Sequence, residues 1–169
     1  TWYTARVDEA KDRSGASIAA PVSWRFQTVA ADDDSSATLW DSSATPDRFV
    51  TERSAVEVGT KITTSADGTI SSIRFYKAPG SEGTHVGHLW TLDGQLLGSA
   101  SFDPSLPSGW QQAPLTAPVA VRAGTTLVAS VFAPQGVYAA SGGYFATART
   151  RGPLTAPVAG NGVYRYGGG

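Results

Sequence analysis

The sequence predicts an all-β protein, an antiparallel β-sandwich of the jelly-roll or immunoglobulin-like kind. Three observations predict it. Between Ala55 and Trp110, short alternating apolar runs are broken by Gly, Pro, Asp or Ser at about the eight-to-twelve-residue spacing of a sandwich. Asp93-Gly94 sits between two such runs, HLWTL and QLLGSASF, and suits a two-residue hairpin turn with φ > 0 at both central residues. No uninterrupted segment of about ten residues carries the 3.6-residue period of a helix.

The elements follow in order. TWYTARV (1–7) alternates as a strand, and VSWRFQT (22–28) alternates again with Val22, Trp24 and Phe26 on one face. A polar stretch, 8–20, joins them. Two strands alone are marginal in water, so Trp2, Tyr3, Trp24 and Phe26 require a surface to pack on. VAADDDSS (29–36) reads as a linker; its run Asp32-Asp33-Asp34 has the clustered carboxylates that could ligate calcium between modules, and reads first as a solvated polar spacer. Trp40 lies near the start of the main domain, 37–169.

Within that domain Val56, Val58 and Ile62 form the buried side of a strand, with Glu57 and Lys61 on its outer, solvated side. After the turn TSADG, Ile73 and Phe75 alternate with Arg74 and Tyr76. APGSEGTH (78–85) is a loop, the Asp93-Gly94 hairpin follows, and Phe102 ends it. Pro114 and Pro118 make 110–121 an edge or irregular strand, because proline cannot donate to a ladder. TLVASVFA (126–133) reads as a central strand, 137–145 is rich in Tyr and Phe, 150–159 reads as loop, and 163–166 is a short last strand. The hexapeptide LTAPVA occurs at 115–120 and 154–159, too short a match to mark a repeat architecture.

Composition narrows the functional classes. Charged residues make up 16% of the chain and the net charge is -1, so no basic stripe is present for a phosphate backbone. No apolar run approaches the roughly 20 residues of a membrane-spanning helix. The absence of cysteine excludes a disulfide framework and a thiolate metal site. The absence of methionine is expected of a chain that begins inside a longer precursor. A composition rich in Gly, Ser, Thr, Ala and aromatics, and poor in Lys and Glu, is that of an extracellular β-protein.

Candidate chemistry is sparse. His85 and His88, the two histidines, fall on opposite faces of an extended strand, and no HExxH, GxSxG or phosphate-binding glycine motif occurs. Of the carboxylates a glycosidase would need, Glu57 lies on an outer face and Asp93 belongs to its turn. The expectation is therefore a non-catalytic module. Sugar binding needs an aromatic face with polar groups beside it. Trp90 and His88 share one strand face, Tyr76 and Arg74 another, and Tyr138 and Tyr144 lie in the late aromatic region. Trp40 and Trp110 read as packing residues. Asp41, Asp47 and Glu57 with backbone carbonyls are the candidate ligands of a structural calcium, without a sequential calcium-loop motif.

Several blocks resemble a known family. Trp40-Asp41-Ser42-Ser43, AVEVGTKI (55–62), IRFYK (73–77), GTHVGHLW (83–90), SGWQ (108–111), AGTTLVAS (123–130) and NGVYRYG (161–167) are similar, in order, to the bacterial domain of unknown function 4082. The first 28 residues resemble the last two strands of a bacterial immunoglobulin-like module. The resemblance implies a β-sandwich in a secreted multidomain protein and no catalytic residues. It also implies one more aromatic strand after NGVYRYG, and a histidine or other polar residue where Val137 stands. A sandwich short of a strand and a hairpin without its sandwich suggest strand addition between subunits, a head-to-tail fibre with Trp2, Tyr3, Trp24 and Phe26 at the contact. The expected roles are thus binding of polysaccharide or a cell-surface ligand, or self-association.

Overall fold

A computed structural model describes residues 2–27, 36–158 and 160–167, apart from the side chains of Trp2, Tyr3, Phe26 and Gln27. It divides into two compact units, Thr1–Ser36 and Ala37–Gly169. The first is an antiparallel hairpin of β1 (Trp2–Val7) and β2 (Val22–Gln27), with Ala5 opposite Trp24 and Val7 opposite Val22. Asp12 caps the turn between them, accepting from the backbone amides of Ser14 and Ala16. Trp24 and Val22 are half exposed. The expected contacts of Trp2, Tyr3 and Phe26, and the acidic run 32–34, lie outside the described residues.

The second unit is an antiparallel β-sandwich, as its alternation predicts. Its strands are β3 (Arg48–Thr51), β4 (Val56–Thr64), β5 (Gly68–Lys77), β6 (Val86–Thr91), β7 (Leu96–Ser101), β8 (Gly109–Val121), β9 (Thr126–Ala133), β10 (Val137–Ala140), β11 (Arg149–Arg151), β12 (Leu154–Ala156) and β13 (Val163–Tyr166). The larger layer runs β11-β12-β4-β9-β6-β7, and β13 pairs with the other end of β4. The smaller layer pairs β5 with β8, and β3 pairs with β10 as a separate ribbon.

Residue parity decides the core. Ile62 pairs with Leu127, and Leu89 with Ala129, so these side chains share the inner face of the larger layer. They pack against Ile73 of β5 and Ala113 and Leu115 of β8, with Phe102 closing one end. Leu89 is fully buried. The strand 126–133 is central, flanked by β4 and β6. The proline-bearing strand β8 pairs only with β5 among the described residues, and its register shifts between Ile70 and Ser72 opposite the prolines.

Three expectations need correction. The Asp93-Gly94 connection is not a two-residue turn with two positive φ values. Only Gly94 has positive φ, at 91°, and its amide donates to the Thr91 carbonyl. A longer turn ending in a glycine bulge satisfies the same strands with one strained position instead of two. The segment 150–159 is not loop throughout, because β11 and β12 form a hairpin that extends the sheet along β4. Three-residue strands are too short to show alternation in sequence. The third, the environment of Glu57, belongs to the site below. One helical element is described, a single 3-10 turn at Tyr144–Ala146.

Candidate functional site

An open cleft of about 630 Å3 lies in the sandwich unit. Its floor is the inner face of the larger layer, Val58 and Thr60 of β4 with Ala129 and Val131 of β9. The β10 strand borders it through Val137 to Ala140. Its aromatic wall comes from separate parts of the chain: Tyr76 on β5, Trp110 on β8, Trp40 on the entry loop and Tyr144 and Phe145 on the 3-10 turn.

These rings form a continuous series. Centroid distances are 6.1 Å for Phe49–Tyr76, 5.6 Å for Tyr76–Trp110, 6.2 Å for Trp110–Trp40 and 5.9 Å for Trp40–Tyr144. Tilted and edge-on geometries dominate, as the ring quadrupole favours. Guanidinium groups pin the series from outside. Arg74 stands 4.5 Å over Trp110 and donates to the Trp40 carbonyl, and Arg149 stands 4.7 Å over Tyr144. Trp110 Nε1 donates to the Ala44 carbonyl at 2.8 Å, fixing the entry loop against β8. No bond from the indole N–H of Trp40 or the hydroxyls of Tyr76 and Tyr144 to another described residue occurs. The wall therefore offers apolar ring surface with unspent polar tips.

At the inner end sits His85, 2% exposed. Its ring packs 5.2 Å from Phe75, and Nε2 meets Ser81 Oγ at 2.8 Å. Ser81 in turn donates to the Val137 carbonyl. Burial, then the positive charge of Lys77, pushes the His85 pKa below its usual 6.5, opposed by the Gly83 carbonyl. On the β10 side Tyr138 donates to Glu52 Oε1, and its phenol is pushed up to about 12 by burial and that carboxylate.

The structure divides the sequence-derived candidates. Tyr76, Tyr138 and Tyr144 line the cleft and Arg74 braces its wall. Trp40 and Trp110, read as packing residues, pack on each other and also line the cleft. Trp90 and His88 lie on the opposite, outer face of the larger layer, because His88 pairs with Ser130 and Trp90 with Val128. There Trp90 Nε1 donates to Ser130 Oγ at 2.8 Å, His88 Nδ1 meets Glu57 Oε1 at 2.9 Å, and Ser130 Oγ donates to the same carboxylate oxygen.

Glu57 is on the outer face, as its parity requires, but it is not solvated: it is 7% exposed. Gly59 and Ser130, small residues paired across β4 and β9, leave room for Glu57 and side chains from β6 to meet over the central strand. One strand's alternation reveals a face, not what two neighbouring strands lay over it. The serine hydroxyl bonds the carboxylate and not the imidazole, so this trio is no serine–histidine relay. Ser130→Ala removes a donor to Glu57 and leaves the Trp90 N–H without its acceptor. It should lower the unfolding free energy by about 1–3 kcal/mol in urea titration. A change under about 0.5 kcal/mol, the scale of ordinary surface substitutions, would show that the trio does not brace the sheet.

The proposed calcium ligands are not brought together. Asp41 accepts from Ser43 and Arg151, and Glu57 belongs to the outer-face trio. Asp47 is exposed. Among the described residues no group of three or more His, Cys, Asp or Glu is placed to hold a metal ion. No helix of the described residues is long and apolar enough to cross a membrane. Comparison with family models gives a match to the family described as Domain of unknown function (DUF4082), over residues 27–169. No curated protein and no solved structure matches the chain.

Proposed function

Since this chain belongs to the family described as Domain of unknown function (DUF4082), we propose that it is a non-catalytic module of a secreted or cell-surface bacterial protein, binding carbohydrate or a similar surface ligand in the aromatic cleft. The observation that carries this reading is the ring series Tyr76–Trp110–Trp40–Tyr144 along one wall, with the Trp40 indole N–H and the Tyr76 and Tyr144 hydroxyls left unspent among the described residues. A pyranose presents a C–H face to such rings and hydroxyls to their polar tips. The wall is also braced in advance, by Arg74, Arg149 and the Trp110–Ala44 bond, which limits the ordering cost of binding.

Tyr144 is the informative residue, because it sits on a short surface turn rather than in the core. Tyr144→Ala should weaken binding to immobilised polysaccharide at least about tenfold, the scale of an aromatic anchor, with little change in the unfolding midpoint. Trp90→Ala, on the other face, should leave the affinity of the folded fraction unchanged. Loss of binding in Trp90→Ala with retention in Tyr144→Ala would move the site to the outer face and overturn the cleft assignment.

A second reading is supported by the half exposure of Val22 and Trp24 on a two-stranded hairpin. In it the module is a structural subunit of an extracellular fibre, joined by strand exchange through residues 1–28. Deleting those residues should then reduce a large or polydisperse solution mass to a monomer. Assemblies that persist after the deletion exclude it.

A further inference from the structure

We propose that the cleft takes an internal stretch of an uncharged polysaccharide chain, laid along the ring series and on to a further contact at Tyr164 of β13. This deepens the reading of the cleft as a carbohydrate site, and rests on it.

Register places the further contact. In the antiparallel pair of β13 with β4, Tyr164 stands opposite Val58 and Tyr166 opposite Val56. Residues paired in this way share a face. Val58 is on the cleft floor, so both tyrosines lie on the inner face of the larger layer. Tyr164 is nevertheless 69% exposed, and it lines the cleft. Tyr166 stands edge-on to it at 5.7 Å and supports the ring. No bond from the Tyr164 hydroxyl to another described residue occurs. The aromatic border also reaches the start of β13. Phe145 packs edge-on against Tyr144 at 5.2 Å, and a Cβ built on Gly162 would stand 3.8 Å from Phe145 Cδ2.

The extent of this border sets the length of the ligand. The steps from Tyr76 to Tyr144 are 5.6, 6.2 and 5.9 Å, and a single pyranose cannot cover these rings together with Tyr164. Because Tyr164 is open to solvent, a chain passes over it out of the cleft instead of ending there.

Charge sets the class of ligand. Among the described residues that line the cleft there is no Asp, Glu, Lys or Arg. A carboxylated or aminated chain would lose water there and find no opposite charge. The charged groups nearby are turned elsewhere. Arg165, between the two tyrosines, falls on the outer face with its partner Glu57. Glu52 accepts from Tyr138. Arg74 and Arg149 donate to the carbonyls of Trp40 and Tyr144. Their guanidinium groups also cover one face each of Trp110 and Tyr144, the negative ring surface that an ammonium ligand would need.

The test is calorimetric titration with glucan, mannan and xylan oligosaccharides of increasing length, beside polygalacturonate and chitosan oligosaccharides. Affinity for at least one neutral series should rise with length and exceed that for the charged series by about tenfold or more. It should change by less than about twofold between low and high salt, since no ion pair is there to be screened. Tyr164→Ala should weaken binding of the long oligosaccharides about tenfold and leave the shortest unaffected. Tyr164→Phe, which keeps the ring, should keep the length dependence. An unchanged length dependence in Tyr164→Ala overturns the contact on β13, and tighter binding of polygalacturonate or chitosan overturns the neutral class. Either result leaves the cleft as a carbohydrate site. Binding of a nonionic alkyl detergent with no oligosaccharide binding would give the cleft to an acyl chain. That result overturns both readings, as does silence of the whole panel with protein shown to be folded by circular dichroism.

Discussion

Gly87→Ala is expected to lower the unfolding free energy by about 3 kcal/mol, the upper part of the range for overpacking a core. Gly87 shares the inner face of β6 with Leu89, at the layer interface. A Cβ built there would stand 2.8 Å from Ile73 Cγ2, 3.0 Å from Ile73 Cβ and 3.1 Å from Phe102 Cε2. Both neighbours are buried core residues, so neither can swing aside into solvent. The two layers must separate locally, and dispersion contacts around Leu89 are lost with them. Equilibrium urea unfolding measures the effect. Stability within about 0.5 kcal/mol of the parent would mean that the layers tolerate a wider spacing. Leu89→Ala in the same host separates overpacking from cavity formation, since it removes volume at a neighbouring inner position.

Lys77→Met is expected to destabilise by about 2–3 kcal/mol, through lost bonding rather than lost volume. Lys77 is 7% exposed and shares the inner face of β5 with Ile73 and Phe75. Its Nζ donates to the carbonyls of Pro104 and Leu106 at 2.8 and 2.7 Å. The adjacent Gln111 donates to the Pro107 carbonyl, while its own Oε1 is buried without a partner among the described residues. The ammonium thus organises a proline-rich loop that has few backbone donors of its own. Methionine keeps the stem and removes the charge, so those carbonyls must find water. The loop should become susceptible to proteolysis around Ser105 before global unfolding. The same variant should also raise the His85 pKa toward its ordinary value, because one of the two causes holding it down is gone. An unchanged His85 titration in Lys77→Met would show that burial acts alone.

The outer-face trio and the cleft were legible to different degrees. Parity placed Trp90 with His88 and set Tyr76 apart from Phe75, and both assignments hold in the structure. Parity did not reveal that Trp90 is spent on Ser130, or that His88 is spent on Glu57, because each bond crosses to another strand. Trp40 and Trp110 look like ordinary packing residues in sequence. Their place on a cleft wall depends on Tyr144, which lies 104 residues from Trp40 in the numbering (144 − 40) and 5.9 Å away in space. Lys77 has the parity of a core residue in IRFYK, yet its charge argues for the surface. Only the carbonyls of a loop that returns later in the chain settle the matter. A signal was available for His85, since a histidine immediately before the alternating run VGHLW begins falls on the side opposite His88.

What the sequence determined by itself is what depends on neighbours within one strand. The all-β class, the central place of 126–133 and the division of each strand into two faces follow from period-two alternation and from where Gly and Pro stop it. The tertiary structure decided what depends on which strands lie side by side. Pairing β4, β9 and β6 buries a glutamate on an outer face, and laying β5 and β8 over β6 requires a glycine at position 87. Folding the entry loop and the 3-10 turn to one end assembles four aromatic rings into a wall. The reason is physical: alternation is a local property of the pleated backbone, whereas register and layer order are fixed by the sum of side-chain packing across the whole sandwich.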